Sequence, residues 1–159
     1  MNKALLSSKN HTWETPEWLF KELDKEFGFT LDPCCEVSTA KCYNFYTVDD
    51  NGLCQDWGGH IVFCNPPYGK HLRKWIVKSY LESKKDATKV VMLIPSRTDT
   101  TYFHDIILPY AADIRFLRGR VKFLINGKEG DSAPFGSMVV VFDSESDNQT
   151  EFNLITHNH

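Results

Sequence analysis

The sequence predicts a single α/β domain built on a mainly parallel β-sheet, and three observations support that prediction. Residues 61–64, Ile-Val-Phe-Cys, form an apolar run of strand length without polar alternation, which is typical of a strand buried on both faces. A helix pattern at residues 71–85 follows and leads into another apolar run at residues 90–94, as in a crossover between parallel strands. The chain has 159 residues, 42% of them hydrophobic, which suits one core and leaves no room for a second domain.

The overall charge argues against a protein that holds nucleic acid by bulk electrostatics. The formal net charge is −3 and the pI is about 6.0, so any DNA binding has to depend on a local patch or on a partner. The apolar run near the N-terminus is too short for a signal peptide, and no window approaches a membrane span. We therefore expect a cytoplasmic protein without membrane contact.

The cysteines do not predict a metal site. There are five, none in a Cys-x-x-Cys pair, and their spacing matches no zinc knuckle; they are Cys34, Cys35, Cys42, Cys54 and Cys64. The last of them closes the apolar strand, where a thiol behaves as a small buried hydrophobe. We expect reduced thiols that hold no metal.

Composition divides the chain into three parts. Residues 1–12 are predicted to be a flexible N-terminal arm, residues 13–143 the folded domain and residues 144–159 a polar C-terminal tail. The first helix is expected to have Thr15 as its N-cap and Pro16 at its first helical position. Apolar residues spaced four apart give this helix one buried face, and the glycine at position 28 ends it.

The first two strands are short and are followed by polar loops. Residues 29–35 are predicted to be the first strand of the sheet with its exit loop, and residues 43–47 a second strand. An aspartate after the second strand, Asp49 or Asp50, has two interpretations. In the first interpretation the carboxylate accepts hydrogen bonds from a ribose, as in nucleotide-binding α/β folds. In the second it is an ordinary turn residue.

Two prolines end the strand at residues 61–64, so Asn65 and Tyr68 are expected on a stiff loop at its carboxyl end, the edge where open α/β sheets bind ligands. An aromatic amine such as N6 of adenine is a poor nucleophile. The Asn65 oxygen and the Pro66 carbonyl are suited to hold its N–H groups so that its lone pair faces an electrophile. Tyr68 is suited to stack on a base flipped out of a duplex. The alternative is a proline-stiffened turn with a surface tyrosine.

The helix at residues 71–85 has a basic side, formed by Lys70, Arg73, Lys74 and Lys78. A solvated helix face explains these charges, and contact with phosphates is the alternative because the helix starts beside the Asn65 loop. After the strand at residues 90–94, Arg97 is expected at the same edge of the sheet.

The last third of the chain is predicted to close the sheet. Thr98 or Asp99 is expected to cap a helix that carries the next apolar residues. Residues 114–123 and 138–142 are the two predicted closing strands, joined by a polar loop over residues 126–136. The positive charges of Arg118, Arg120 and Lys122 fall beside the expected cleft, and ordinary strand-edge charge is their alternative explanation.

Two short motifs resemble those of a known family. Asn65-Pro66-Pro67-Tyr68 is similar to the signature Asp/Asn/Ser-Pro-Pro-aromatic of amino-methyltransferases that use S-adenosylmethionine. Asp32-Pro33-Cys34 stands where most of these enzymes have a glycine-rich turn, and it resembles the Asp-Pro-Cys of phage and prophage DNA N6-adenine methyltransferases, the phage Dam family. The runs LIPSRTDTTYFH, FLRGRVKF and APFGSMVVVF look like the same family, so the resemblance covers about residues 12–143.

The resemblance implies a compact Rossmann-like fold of an S-adenosylmethionine-dependent methyltransferase, together with three groups of site residues. The catalytic residues that it implies are Asn65, Pro66, Pro67 and Tyr68. The cofactor-binding residues that it implies are Trp13, Thr15, Pro16, Asp32, Pro33, Cys34, Asp50, Asp56 and Trp57. The basic residues that we expect near DNA are Lys70, Arg73, Lys74, Arg97, Arg118 and Arg120.

The reaction implied is methyl transfer from S-adenosylmethionine to N6 of a flipped adenine in duplex DNA, either site-specific or relaxed, with positioning as the main catalytic device. A methyltransferase acting on RNA adenine or on a protein glutamine is the alternative in the same reaction class. A catalytically inactive nucleic-acid-binding module is the alternative outside it. No segment has the size of a target-recognition domain, which leaves three alternatives: relaxed specificity, a very short site such as GATC, or a homodimer that reads DNA jointly.

Overall fold

The computed structural model describes residues 13–147 and 149–157, and the predicted arm at residues 1–12 lies outside the described residues. Ten strands are assigned within them: β1 Trp13–Glu14, β2 Leu31–Asp32, β3 Asn44–Phe45, β4 Ile61–Cys64, β5 Lys89–Pro95, β6 Asp113–Leu117, β7 Leu124–Ile125, β8 Lys128–Glu129, β9 Ser137–Phe142 and β10 Glu151–Ile155. The α-helices are α1 Glu17–Phe27, α2 Leu72–Ser83 and α3 Leu108–Tyr110, the last preceded by a π-helical turn at Phe103–Ile107. Short 3₁₀ turns lie at Val37–Thr39 and Gly52–Cys54.

Seven strands form one twisted sheet in the order β10-β6-β9-β5-β4-β2-β3. Strand β9 runs antiparallel to both of its neighbours, and the other pairs are parallel. This arrangement, with helices on the sheet, confirms the predicted Rossmann-like α/β fold. The chain moves outward from β2 to β3 and then returns to the other side of β2 as β4. That reversal of strand order creates a crevice at the carboxyl ends of β2 and β4, where open α/β sheets bind ligands.

The central strands are buried on both faces, as their unbroken apolar sequences predict. In β4, Val62 belongs to the core layer that includes Ile76 of α2. The next residue, Phe63, belongs to the opposite layer with Leu19 of α1. Val62 and Phe63 are each at most 1% exposed. The end of β4 is therefore held from two sides, which fixes the direction in which the following loop leaves the sheet.

A second, smaller sheet has the order β1-β7-β8. Its hairpin turns at Asn126 and Gly127, whose φ angles of 52° and 78° suit a two-residue type I′ turn. The prediction of a polar loop over residues 126–136 is therefore wrong at its start. The Asn-Gly pair was the sequence signal for this hairpin, and the short flanking strands obscured it.

Strand β10 falls inside the segment that composition assigned to a polar tail. It pairs in parallel with β6, from Glu151 opposite Asp113 to Ile155 opposite Leu117. Composition did not indicate this strand because it lies at the edge of the sheet, where Leu154 is 79% exposed and backbone hydrogen bonds, not apolar burial, hold it. Residues 151–155 thus belong to the sheet.

Two helical segments have a different N-terminal capping residue from the one predicted. Pro16, and not Thr15, occupies the N-cap of α1, because its carbonyl accepts the backbone N–H groups of Leu19 and Phe20. Thr100, and not Thr98 or Asp99, caps the turn before Phe103 through its hydroxyl. The end of α1 at Gly28 is as predicted, with φ at 69° and its N–H on the carbonyl of Asp24.

Other predicted elements are present with shifted ends. The closing strand expected over residues 114–123 stops at Leu117, and the first strand of the large sheet is reduced to β2. Among the described residues, no helix combines the length and apolar character needed to cross a membrane.

Candidate active site

A cavity of about 1310 Å³ opens at the carboxyl ends of β2 and β4. Its volume exceeds what one small ligand needs, since ligand pockets are typically about 300–1,000 Å³. Ten of the residues predicted as catalytic, cofactor-binding or DNA-binding line it: Trp13, Thr15, Asp32, Pro33, Cys34, Asn65, Pro67, Tyr68, Lys70 and Lys74. The fold therefore brings both sequence motifs to one site.

The Asn65 side chain is held by hydrogen bonds on both ends of its amide. Its Nδ2 donates to the Trp13 carbonyl and to Thr15 Oγ1, both at 3.2 Å. Its Oδ1 accepts from the Tyr68 hydroxyl at 2.9 Å. A carboxamide oxygen can accept two hydrogen bonds, so one acceptor position is left for a substrate amine.

Tyr68 packs among aromatic rings at the edge of the cavity. Its ring meets Phe123 edge-on at 6.2 Å and Phe135 edge-on at 5.5 Å between centroids. Its hydroxyl also lies 3.2 Å from the Leu93 carbonyl. Burial raises the pKa of this hydroxyl well above its ordinary value, so it keeps its proton as a hydrogen-bond donor at neutral pH.

Asp32 at the end of β2 is a buried carboxylate, with 3% of its surface exposed. Its oxygens accept the backbone N–H groups of Cys34 at 3.3 Å and Lys41 at 3.0 Å. Burial raises the pKa of Asp32 to about 6, and the two N–H groups offset part of that rise. A buried carboxylate at the edge of a cavity is well placed to hold a cationic group of a ligand.

Gly52 allows the loop after β3 to approach the Asp32-Pro33 turn closely. A Cβ atom at position 52 would lie 2.1 Å from the carbonyl oxygen of Pro33 and 3.1 Å from the Trp75 ring. Both Gly52 and Pro33 line the cavity. The cavity wall therefore requires glycine here, in a chain whose first-strand turn has no glycine of its own.

The surroundings of the thiols near this turn make them unreactive. Burial raises the pKa of Cys34 and Cys35, and it raises the pKa of Cys42 to about 12, with the Asp32 charge adding to each shift. They stay protonated at neutral pH. In the described part of the chain, no group of three or more His, Cys, Asp or Glu side chains is placed to hold a metal ion.

The structure does not bring Asp56 and Trp57 to the cavity. The Asp56 side chain is 78% exposed and pairs with Lys85 at 2.8 Å. Trp57 is fully buried, and its Nε1 donates to the Gly52 carbonyl at 2.9 Å. Asp56 thus lies near the C-terminal end of α2, toward the amino edge of the sheet, whereas the Trp57 ring lies behind the cavity wall, against Gly52 and Trp75. Their predicted contact with the cofactor is not supported by this placement.

Three further predicted residues stand outside the cavity wall. Asp50 is exposed, and its Oδ2 accepts a hydrogen bond from the Thr47 N–H at 2.8 Å. This contact is that of an ordinary turn residue, the second of its two interpretations. Pro16 and Pro66 are buried and do not line the cavity. They shape the backbone beside Thr15 and Asn65.

The predicted basic residues are all exposed, and two of them line the cavity. Lys70 and Lys74 lie there at the start of α2. Arg73 donates to Thr101 Oγ1 at 3.3 Å, and Arg120 donates to the Ala133 carbonyl at 3.4 Å. Arg97 and Arg118 lie near the same edge of the sheet, after β5 and β6.

Several cavity residues escaped sequence reasoning because they come from other parts of the chain. They include Glu14, Lys41, Asn51, Gly52, Leu53 and Trp75. The signal that was available is the Asn51-Gly52 pair, a combination typical of a tight turn. Asn51 has a φ of 54°, a conformation that asparagine tolerates better than most residues.

Comparison with known proteins agrees with this geometry. A family model described as "DNA N-6-adenine-methyltransferase (Dam)" matches residues 2–158. A "DNA N-6-adenine-methyltransferase" of Haemophilus phage HP1 (strain HP1c1) is 31% identical over 144 residues, which cover 87% of this chain and 82% of that protein. A protein of Escherichia coli (strain K12) named "Putative methyltransferase YfdM" is 38% identical over 63 residues, covering 35% of this chain and 69% of that protein.

Proposed function

Because this chain belongs to the DNA N-6-adenine-methyltransferase (Dam) family and is thus a DNA adenine-N6 methyltransferase, we propose that it methylates a flipped adenine with S-adenosylmethionine. The observation that carries the proposal is the shared cavity. The Asn65 amide after β4 and the buried Asp32 carboxylate after β2 line the same space. The Asn65 end of the cavity suits an aromatic amine, and the Asp32 end suits a cationic cofactor.

The residues around β2 fit S-adenosylmethionine. Asp32 offers a buried negative charge, and the close approach of Gly52 to Pro33, which leaves no room for a side chain at position 52, fixes the shape of the neighbouring cavity wall. We assign these residues, with Trp13 and Cys34, to the cofactor end of the cavity. When bound, the cofactor supplies an electrophilic methyl group on a sulfonium.

The Asn65 loop fits the target base. The Asn65 oxygen accepts an N–H of the adenine amine, which holds the nitrogen lone pair toward the cofactor. The Tyr68 ring lies beside the base, and the two prolines keep the loop rigid. A base can reach this position only after leaving the duplex, at a cost of a few kcal/mol in unstacking. No side-chain nucleophile takes part, so positioning supplies most of the rate.

A methylation assay tests the proposal. The purified protein is incubated with labelled S-adenosylmethionine and unmethylated duplex DNA, and the digested nucleosides are separated by mass spectrometry. We expect N6-methyladenine from DNA and little label in an RNA of the same sequence or in a glutamine-containing peptide. Label in RNA or peptide but not in DNA would overturn the DNA assignment. Mapping the methylated positions then decides between a specific and a relaxed target.

Cofactor affinity is expected to fall below pH 6 because of Asp32. Its pKa of about 6 in the free protein means that the carboxylate is charged at pH 7 and largely neutral at pH 5. A cationic ligand requires the charged form, so binding must release a proton at low pH, and affinity should fall by up to about tenfold per pH unit there. Calorimetric titration with S-adenosylmethionine, in the absence of DNA, from pH 5 to pH 8 measures this, because this ligand carries the sulfonium charge. Asp32→Asn should bind weakly and without this pH dependence; a flat wild-type profile would contradict the assignment.

The same pKa shift has a consequence for folding. The Asp32 pKa is higher in the folded protein than its ordinary value of 3.8, so the folded state binds the proton more tightly than the unfolded state. The stability contributed by protonated Asp32 is present below about pH 4 and is lost as pH rises through about 6. Burial of this charge thus costs stability at neutral pH, which fits a residue kept for ligand binding.

We propose that the basic residues at the cavity mouth contact DNA phosphates. Lys70 and Lys74 line the cavity and form no ion pair with a carboxylate in the described residues, whereas Lys78 farther along α2 pairs with Glu82. Their charge is therefore available to an anion in spite of the net negative charge of the chain. This supports a local electrostatic contact.

Replacing both lysines should weaken DNA binding without changing target choice. For Lys70→Gln with Lys74→Gln, we expect the slope of log affinity against log salt to fall by about 1–2, since each phosphate contact contributes about 0.9. Fluorescence anisotropy at several salt concentrations measures the slope. Lys25→Gln with Lys84→Gln, which removes two exposed charges from the far ends of α1 and α2, is the matched control. An equal change in both pairs would contradict a localised contact.

A further inference from the structure

The amide of Asn65 has one orientation that its surroundings permit. The Trp13 carbonyl can only accept a hydrogen bond, and it lies 3.2 Å from Nδ2. If the amide turned over, Oδ1 would face that carbonyl, and two acceptors would be in contact. The present orientation keeps Oδ1 at the Tyr68 hydroxyl, 2.9 Å away, and leaves it able to accept from a second donor.

Thr15 supplies the second partner of Nδ2 from a position that is held rigidly. Its side chain is buried, with 1% of the residue exposed, and its Oγ1 lies 3.2 Å from Nδ2. On one side of it, β1 pairs with β7. On the other, Pro16 restricts the Thr15 backbone and begins α1. Thr15 is therefore fixed from both directions.

Aromatic packing joins this segment to the Asn65 loop. The Trp13 ring stacks on Phe123 at 5.7 Å and on Phe135 at 6.1 Å between centroids. The same two phenylalanines meet the ring of Tyr68 edge-on. Two of the three residues that hydrogen-bond the amide, Trp13 and Tyr68, thus rest on one aromatic cluster, which limits their relative movement.

We propose that Thr15 and the hydroxyl of Tyr68 are positioning residues that orient the Asn65 amide for the target amine. Thr15 Oγ1 holds Nδ2 away from the substrate, and the Tyr68 hydroxyl occupies one acceptor position of Oδ1. The remaining acceptor position of Oδ1 is then directed to the base. This inference rests on the proposed function and assigns the Thr15 hydroxyl to Asn65, whereas the family resemblance implied a contact with the cofactor.

The test separates kcat from cofactor binding. Thr15→Val keeps the branched shape and removes the hydroxyl, whereas Thr15→Ser keeps the hydroxyl. For Thr15→Val we expect kcat on duplex DNA to fall about tenfold, as for one lost hydrogen bond in the transition state, with S-adenosylhomocysteine affinity changed less than about twofold. Thr15→Ser should recover most of the rate. Tyr68→Phe, which acts on the other end of the amide, should lower kcat by a similar factor.

Three results would overturn the inference. They are an unchanged kcat in Thr15→Val, an equally poor Thr15→Ser, and a loss of cofactor affinity as large as the loss of rate. If Thr15→Val does not fold, an unchanged kcat in Tyr68→Phe serves the same purpose, because that variant leaves the N-terminal segment intact. A wild-type protein that transfers no methyl group would instead overturn the proposed function, and the two failures are thereby distinguished.

Discussion

Asn65→Ala is expected to reduce methyl transfer to DNA by at least about 100-fold, because positioning of the amine supplies most of the rate. Cofactor affinity should change less than about threefold, since the amide acts on the base and not on the sulfonium. Single-turnover methylation and calorimetry with S-adenosylhomocysteine measure the two quantities on the same preparation.

The variant also removes three structural hydrogen bonds, two donated by Nδ2 and one accepted by Oδ1, and a control has to account for them. Without Nδ2, the buried Thr15 hydroxyl and the Trp13 carbonyl lose a donor, at a cost of about 1–3 kcal/mol in stability. Asn153→Ala is the matched control, because it removes an amide hydrogen bond of 2.8 Å to Asp113 away from the cavity. It should lose stability but keep its rate. A drop in cofactor affinity equal to the drop in rate would refute the division of roles at Asn65.

Gly52→Ala should damage the cofactor end of the cavity. The new methyl group would lie 2.1 Å from the Pro33 carbonyl oxygen, which is backbone and cannot rotate away. Either the Asp32-Pro33 turn or the 3₁₀ turn at Gly52–Cys54 must move, and both form the cavity wall. We expect a loss of about 1–3 kcal/mol in stability from overpacking. S-adenosylhomocysteine affinity should fall at least about tenfold, equivalent to about 1.4 kcal/mol.

Gly130→Ala provides the comparison for that experiment. A Cβ atom there would lie 3.2 Å from its nearest neighbour, the Phe123 carbonyl oxygen, so a small adjustment accommodates it. Thermal unfolding and calorimetric titration of both variants, each measured while folded, separate general destabilisation from damage to the site. Normal cofactor affinity in folded Gly52→Ala would show that this part of the cavity wall does not hold the cofactor.

The position of the Asn65 loop could be predicted because it depends on neighbouring residues. The unbroken apolar run of β4 fixes a strand buried on both faces, and Pro66 and Pro67 fix where it ends. The carboxyl ends of parallel strands meet at one edge of a sheet, which is where the Asp32 turn and Asn65 both lie. The structure places both in one cavity.

The cofactor contact that the family resemblance implied for Asp56 and Trp57 gains no support from their position in the fold. Asp56 and Trp57 are close to Asn65 in sequence, but they stand before β4 and not after it. A strand carries the chain across the sheet, so residues at its two ends face opposite edges. Asp56 consequently pairs with Lys85, just beyond the C-terminal end of α2.

By itself the sequence determined the α/β class, the limits of β4 and the chemical character of its exit loop, because periodicity and proline geometry act over a few adjacent residues. Only the tertiary structure placed the Thr15 hydroxyl within hydrogen-bond distance of the Asn65 amide, since 50 residues separate them and no local pattern encodes the contact. The same holds for Gly52 against Pro33 and for β10 beside β6. Each contact forms when the packed sheet brings together segments that are distant in the chain. The whole core stabilises that packing, so no single segment predicts it.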